Sequence, residues 1–86
     1  MKIKFTKRAY KDFHHWKKQD KKIEQKTKEL IKDITRTPYE GLGNPKQLKK
    51  DLSGWWSRRI TKQHRLVYKV EAGILHIRQC RYHYDD

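Results

Sequence analysis

Arg59, Arg65, His83 and Tyr84 are the side chains best able to do chemistry, and all lie in the last third of the chain. They belong to three runs: Trp55-Trp56-Ser57-Arg58-Arg59-Ile60-Thr61, His64-Arg65-Leu66-Val67-Tyr68, and Cys80-Arg81-Tyr82-His83-Tyr84. Each run reads as a β-strand that carries Arg or His where a plain sheet would carry Thr or Val. Guanidinium groups on neighbouring strands, beside a His-Tyr chain end, make a cationic platform with one proton-transfer group. That combination suits cutting a phosphodiester. Internal attack in RNA needs a base for the 2′-hydroxyl proton, cations for the phosphate and an acid for the departing 5′-oxygen. Arg59 and Arg65 suit the second service, because a guanidinium grips phosphate oxygens at two points. Taken singly, either arginine reads as solvated strand surface; the pair on one face is what points to function.

His83 is the strong acid–base candidate beside that platform. His14 and His15 on a helix, and His64 and His76 on strands, have no convergent partners and read as structural or exposed. Tyr84 would stack a base or position the phosphate. Lys46 and Lys49 sit beside the platform, whereas Lys50 reads as bulk charge. Trp55 serves equally well as a stacking surface for RNA bases or as a packed aromatic. Arg58 has core parity, which calls for a buried partner or a snorkelling stem. Arg78 and Arg81 read as general phosphate contacts.

The composition agrees with a polyanionic partner. Net charge is +13 over 86 residues, which favours nucleic acid over a merely soluble basic surface. Only 34% of residues are hydrophobic, so one thin core built largely on ten aromatics is expected, in a single domain spanning 1–86. The lone Cys80 excludes a disulfide framework and a Cys-rich zinc site, and its place in a strand suggests a small buried hydrophobe. No cofactor or metal set is expected. Apolar runs are too short for a signal peptide or membrane span, so a cytosolic protein with no membrane partner is expected.

The elements that must hold these residues follow from periodicity. Residues 2–6 alternate as a half-buried strand. Thr6 can cap a helix whose apolar stripe is Ala9, Phe13 and Trp16, with Tyr10 beside it. Asp20 caps or hinges a second helix, in which Ile23, Thr27, Leu30, Ile31 and Ile34 share a face. Thr37-Pro38 ends that helix. A glycine-bearing loop over 39–50 leads to a short strand at 48–52. Strands at 55–61, 64–71 and 74–82 then form an antiparallel meander with tight turns. The expected fold is α+β: an antiparallel meander with an N-terminal strand and a two-helix hairpin on one face, the other face partly open. Parity places Leu66, Tyr68, Val70, Trp56 and Ile60 in the core. It sends Ser57, Arg59, Arg65, Val67 and Lys69 to the open face. The last strand changes parity, and a bulge near Arg78-Gln79 would reconcile it.

The string from Leu52 to Tyr68, the Cys80-Arg81-Tyr82-His83-Tyr84 ending, Glu29-Leu30-Ile31-Lys32-Asp33 and Thr37-Pro38-Tyr39-Glu40-Gly41 together resemble YoeB (Txe) toxins of the RelE superfamily. The resemblance covers nearly the whole chain and is highly specific. It implies a RelE-like fold and a bacterial type II toxin that enters the ribosomal A site and cuts mRNA. It implies a YefM-type antitoxin, repression of operator DNA only by the toxin–antitoxin complex, action on the 70S ribosome, and a homodimer. By the same resemblance, Arg59 and Arg65 match the phosphate-stabilising arginines and His83 the general acid. Tyr84 matches the terminal tyrosine that orients substrate, and Lys49 a lysine at the edge of the site.

Two departures stand out. The family's loop carries a glutamate as general base, where this chain has Lys46 in Gly41-Leu42-Gly43-Asn44-Pro45-Lys46. Relatives tend to stop at the final His-Tyr, whereas Asp85 and Asp86 follow here and would favour the charged form of the proposed acid. Lys46 would then act as base, or hold phosphate while Lys49 or water takes the proton; Glu40 is another candidate. A protein that binds RNA or the ribosome without cutting is the second reading. A DNA-binding repressor subunit ranks below both, since no helix-turn-helix pattern is visible.

Overall fold

The computed structural model describes residues 1–84. A first strand, β1 (Lys2–Phe5), leads into helices α1 (Lys7–Gln19) and α2 (Lys21–Arg36). Four strands follow: β2 (Lys46–Gln47), β3 (Trp56–Arg59), β4 (Arg65–Glu71) and β5 (Ile74–Gln79), with a single 3-10 turn at Lys50–Leu52. The sheet order is β1-β5-β4-β3-β2. The meander from β2 to β5 is antiparallel, as its short connections require. β1 joins the β5 edge in parallel, which makes the α+β sheet mixed. Parallel neighbours need a crossover, and the helical hairpin lies between them in sequence.

The caps expected from the sequence are in place. The Thr6 hydroxyl accepts from the Ala9 N–H at 3.1 Å. Asp20 closes α1 through its own N–H and caps α2 by accepting from Lys22 and Ile23. Ala9, Trp16, Leu30, Ile31 and Ile34 pack on Ile60, Leu66, Tyr68, Leu75, Ile77 and Cys80, with Phe13, Ile23, Trp56 and Val70 at the margin. Tyr10 departs from its expected place: it is exposed and lies tilted against His14, with ring centroids 4.3 Å apart. The opposite sheet face carries a second small core of Leu48, Leu52 and Val67, with Trp55 and Tyr84 against it.

Several strand boundaries differ from expectation, and β3 is Trp56–Arg59 rather than 55–61 because the Ile60 and Thr61 N–H groups donate to the His64 carbonyl in the turn. The short strand is Lys46–Gln47 rather than 48–52, because Lys50 turns to φ +53° and the chain winds into the 3-10 turn that tucks Leu52 under the sheet. The last strand ends at Gln79 rather than 82. Val67 pairs with Gln79 and Tyr68 with Ile77, so Arg78 is the extra residue of a bulge. Beyond it, the Cys80 N–H turns from the ladder to the Asp12 carboxylate on α1, at 3.1 Å, and Trp16 Nε1 donates to the Cys80 carbonyl at 2.8 Å. Burial pushes the Cys80 thiol up to about 12, so it stays a neutral hydrophobe.

Arg58 is the fully buried cation of this fold. Its Nε donates to the Tyr68 hydroxyl at 3.2 Å, and Nη1 to Asp33 Oδ2 and the Leu42 carbonyl. Its Nη2 donates to the carbonyls of Thr37 and Glu40 at 2.6 and 2.9 Å. All five guanidinium N–H groups are thereby used. The Tyr68 hydroxyl in turn donates to the Pro38 carbonyl at 2.6 Å, and Asp33 also accepts from the Leu42 N–H at 3.0 Å. Two glycines let the loop come this close. A Cβ on Gly41 (φ +119°) would run into the Asp33 carboxylate, and one on Gly43 (φ +79°) would press on Leu30 and the Arg59 carbonyl.

The Leu42 N–H and the Arg58 guanidinium hold the Asp33 carboxyl below its ordinary 3.8. A depressed acid stabilises the fold above that value, and the contribution disappears as pH falls through the lower folded-state value. Urea melts between pH 7 and pH 2.5 should therefore show stability falling in the acid range, and Asp33→Asn should flatten that fall. Arg58→Ala, which strands its partners and opens a cavity, should cost about 3–5 kcal/mol. A parent acid slope retained in Asp33→Asn would refute the assignment.

Candidate active site

The meander register sets the cationic pair. Arg59 on β3 lies directly opposite Arg65 on β4. Like charges in that relation destabilise a sheet, and no carboxylate pairs with either among the described residues. Arg65 Nη1 instead reaches the carbonyls of Thr61, Lys62 and His64 at 2.8, 3.2 and 3.2 Å. The Thr61 hydroxyl holds that turn closed by accepting from the N–H groups of Gln63 and His64. Carbonyls orient a guanidinium without neutralising it, so the pair keeps its positive charge for an anion. The Arg59 N–H donates to the Gly43 carbonyl at 2.7 Å, which ties the loop to the platform.

One cleft of about 180 Å³ gathers Arg59, Arg65, Lys46, Ser57, His83 and Tyr84, with Gly43 and Asn44 at its loop side. Lys46 comes from β2, opposite Ser57. The Ser57 and Tyr84 hydroxyls share a hydrogen bond of 2.9 Å, and the Tyr84 ring rests on the second core. His83 stacks on Tyr84 with ring centroids 4.8 Å apart. Its Nδ1 lies 3.1 Å from the Tyr84 carbonyl, which can only accept, so Nδ1 donates and Nε2 is the nitrogen left for proton exchange. The chain end is fixed from three sides. Gln79 is buried and its amide donates to the carbonyls of Arg81 and His83 at 3.2 and 3.1 Å. The Arg65 N–H donates to the Tyr82 carbonyl at 3.1 Å, and the Tyr82 N–H donates to His64 Nδ1 at 2.8 Å.

Five of the residues singled out in the sequence therefore converge: Arg59, Arg65, His83, Tyr84 and Lys46. Three do not line the cleft. Lys49 precedes the 3-10 turn. Arg81 turns to α1, with its guanidinium over Trp16 and Tyr82, because Tyr82 adopts φ +65° and swings the chain. Trp55 carries Lys69 and Arg78 over its ring at 4.7 and 5.4 Å and packs on the second core, as the packed-aromatic reading had it. Glu40 does not line the cleft either; its carbonyl serves Arg58. Asp85 and Asp86, expected to act on His83, lie outside the described residues. Ser57 and Gln79 were not singled out. Strand parity already put Ser57 beside Arg59, whereas nothing in the sequence signals the backbone contacts of Gln79. No group of three or more His, Cys, Asp or Glu able to hold a metal occurs among the described residues, nor any helix long and apolar enough to cross a membrane.

The fold and cleft together define a small α+β protein with an arginine pair beside a His-Tyr chain end. Residues 5–84 match the YoeB-like toxin of bacterial type II toxin–antitoxin systems, and the chain belongs to that family. It is 52% identical over 84 residues to Toxin YoeB of Escherichia coli K12, which covers 98% of this chain and 100% of the relative. Among solved structures, a YoeB/ParE toxin from Agrobacterium tumefaciens superposes with a TM-score of 0.96 at 43% identity, covering 98% and 100% of the two chains. The toxin chain of a heterotetrameric YoeB–YefM complex from Staphylococcus aureus gives 0.90 at 42% identity, with 98% of each chain covered.

His64 anchors the chain end in its neutral form. Burial is the main cause that holds it below the usual 6.5, with Arg81 and His15 adding to it and Asp12 opposing. The unfolded chain takes up the proton first, so this stabilisation is present above 6.5 and is lost as pH falls through the lowered folded-state value. The amide protection factor of Tyr82 should therefore drop on acidification, and His64→Leu should lower it at neutral pH and remove that drop. Protection of Tyr82 that is insensitive to both would show that the contact does not hold the tail.

Proposed function

We propose that this toxin is a ribosome-dependent mRNA endonuclease that cuts in the A site and so halts translation. The observation that carries the reading is the directly opposed Arg59–Arg65 pair sharing one cleft with His83 and Tyr84. In the proposed reaction the 2′-oxygen attacks the adjacent phosphorus as its proton leaves. Arg59 and Arg65 hold the phosphate while charge builds on it. The bond to the 5′-oxygen breaks, leaving a 2′,3′-cyclic phosphate, and His83 protonates the departing oxygen. Tyr84, aligned by Ser57, orients the nucleotide. Lys49 and Arg81, outside the cleft, and the half-buried Trp55 would serve the flanking RNA or the ribosome.

Lys46 lines the cleft, and no carboxylate does among the described residues, which supports a role for Lys46 in taking the proton or holding the phosphate. It either acts as base in its neutral form or binds phosphate while water accepts the proton, since Lys49 lies outside the cleft. The same observation supports the alternative of an RNA- or ribosome-binding protein with weak or lost cleavage. Membership of the YoeB family supports a YefM-like antitoxin as partner, a homodimer, operator binding only as the toxin–antitoxin complex, and action in the cytoplasm.

Cleavage mapping in a translating extract decides between enzyme and binder, since a binder stalls ribosomes without creating new RNA 5′ ends. His83→Ala should stay folded and bind ribosomes yet cut at least about a hundredfold less, the usual share of a general acid. Arg65→Lys should not restore the parent rate, because a lysine keeps the charge but not the two-point grip. Lys46→Glu should raise cleavage. If it lowers cleavage and Lys46→Ala is dead, the lysine is the working group; full activity in Lys46→Ala would remove Lys46 from the mechanism.

A further inference from the structure

A second cavity, of about 510 Å³, shares His83 and Tyr84 with the active cleft but none of its arginines. Its own cations are Arg8 and Arg78, with Gln79 and Asp51 also in the lining. The acid–base chemistry above uses neither arginine. Each is positioned from a different element. Arg8, in the first turn of α1, lies 3.7 Å from the Asp12 carboxylate and donates to the Arg81 carbonyl at 3.3 Å. That ion pair is loose and the Arg8 side chain is 53% exposed, so donors remain for a ligand. Arg78 is the residue inserted by the β5 bulge, is exposed, and has no carboxylate partner among the described residues. Its guanidinium is steadied by the Trp55 ring. Asp51 is the carboxylate in the lining; it offers an acceptor to a sugar hydroxyl or a base amino group and leaves the cavity with one net positive charge.

We propose that this cavity is a second phosphate subsite, in which Arg8 and Arg78 hold the phosphate next to the scissile one on the same single-stranded RNA. The proposal rests on the ribonuclease reading above. Continuity favours RNA as the occupant. His83 and Tyr84 wall both cavities, so one strand passing the Tyr84 ring meets the Arg59–Arg65 pair on one side and the Arg8–Arg78 pair on the other. Guanidinium groups on two elements suit a tetrahedral anion approached from two directions. An aromatic between two cationic patches is also how single strands are tracked without reading sequence.

The test uses the full chain and short RNAs made uncleavable by a 2′-deoxy sugar at the scissile nucleotide, with binding read by fluorescence anisotropy. A dinucleotide supplies the scissile phosphate alone; trinucleotides add one phosphate on either side. One of the two trinucleotides should bind about tenfold tighter than the dinucleotide, the scale of a charge-assisted contact. Its salt slope should be steeper by about 0.7, the value for one more phosphate neutralised on a single strand. Arg8→Gln with Arg78→Gln should erase both gains and leave dinucleotide binding unchanged, while Arg78→Lys alone should keep the slope but lose part of the affinity. Gains that persist in the double variant, or that never arise in the parent, would overturn the subsite and leave the ribonuclease reading standing. A parent that does not bind even the dinucleotide would also overturn the subsite, while the ribosome-dependent cleavage reading is decided by the mapping in a translating extract. If the double variant keeps its RNA gains but loses binding to a poly-glutamate peptide, the surface belongs to an acidic protein partner and the proposal is wrong.

Discussion

The path of the polypeptide from α2 to the cleft depends on one buried guanidinium. Removing a cation from water costs several kcal/mol even after the protein relaxes, and the cost is offset only when every donor finds a partner. Arg58 meets that condition with Asp33 on α2, Tyr68 on β4 and three carbonyls of the loop after α2. That loop has no regular structure of its own until β2. Its course is therefore set by a side chain from β3, and Gly43, Asn44 and Lys46 arrive at the cleft because Arg58 holds Thr37, Glu40 and Leu42 just upstream. The glycines at 41 and 43 are the other half of this arrangement, since any Cβ there would force the loop away from Asp33 or Leu30.

The neighbouring arginine obeys the opposite logic. Arg58 is neutralised and saturated, whereas Arg59, one residue on and on the other sheet face, is exposed opposite Arg65. A chain of net charge +13 already repels itself, and a cross-strand pair of like charges adds to that cost. The carbonyls around Arg65 hold the geometry without removing the charge. An anion in the cleft would relieve that repulsion, so the same feature that weakens the free protein would favour binding phosphate. The pairing of a satisfied and an unsatisfied arginine in adjacent positions is a direct result of strand alternation.

Much of this was legible in the sequence because alternation is local. Parity along 55–61 and 64–71 placed Arg59, Arg65 and Ser57 together and sent Arg58 inward, to a buried partner or a snorkelling stem. The conflict of parity among Leu75, Ile77 and Cys80 located the bulge, which the structure puts at Arg78. The caps at Thr6 and Asp20 were equally legible, since a capping side chain reaches only two or three residues along the chain. The short strand was displaced because Lys50 adopts a left-handed conformation that carries no sequence signature for a lysine. The parallel placement of β1 followed from neither period nor composition.

By itself, the sequence determined the two helices and most strands, the face of the residues on β3 and β4, the charge, and which residue types carry cationic and acid–base groups. Tertiary structure alone decided which of them meet. Contacts between Trp16 and Cys80, Asp12 and Cys80, and His64 and Tyr82 steer the last residues, and they join parts of the chain far apart in sequence. They bring His83 and Tyr84 to the arginine pair, turn Arg81 away to α1, and open the second cavity beside Arg8. Hydrophobic period reports only on a residue's own element. The meeting of a helix's first turn, a bulge and a chain end depends on packing that no local pattern encodes.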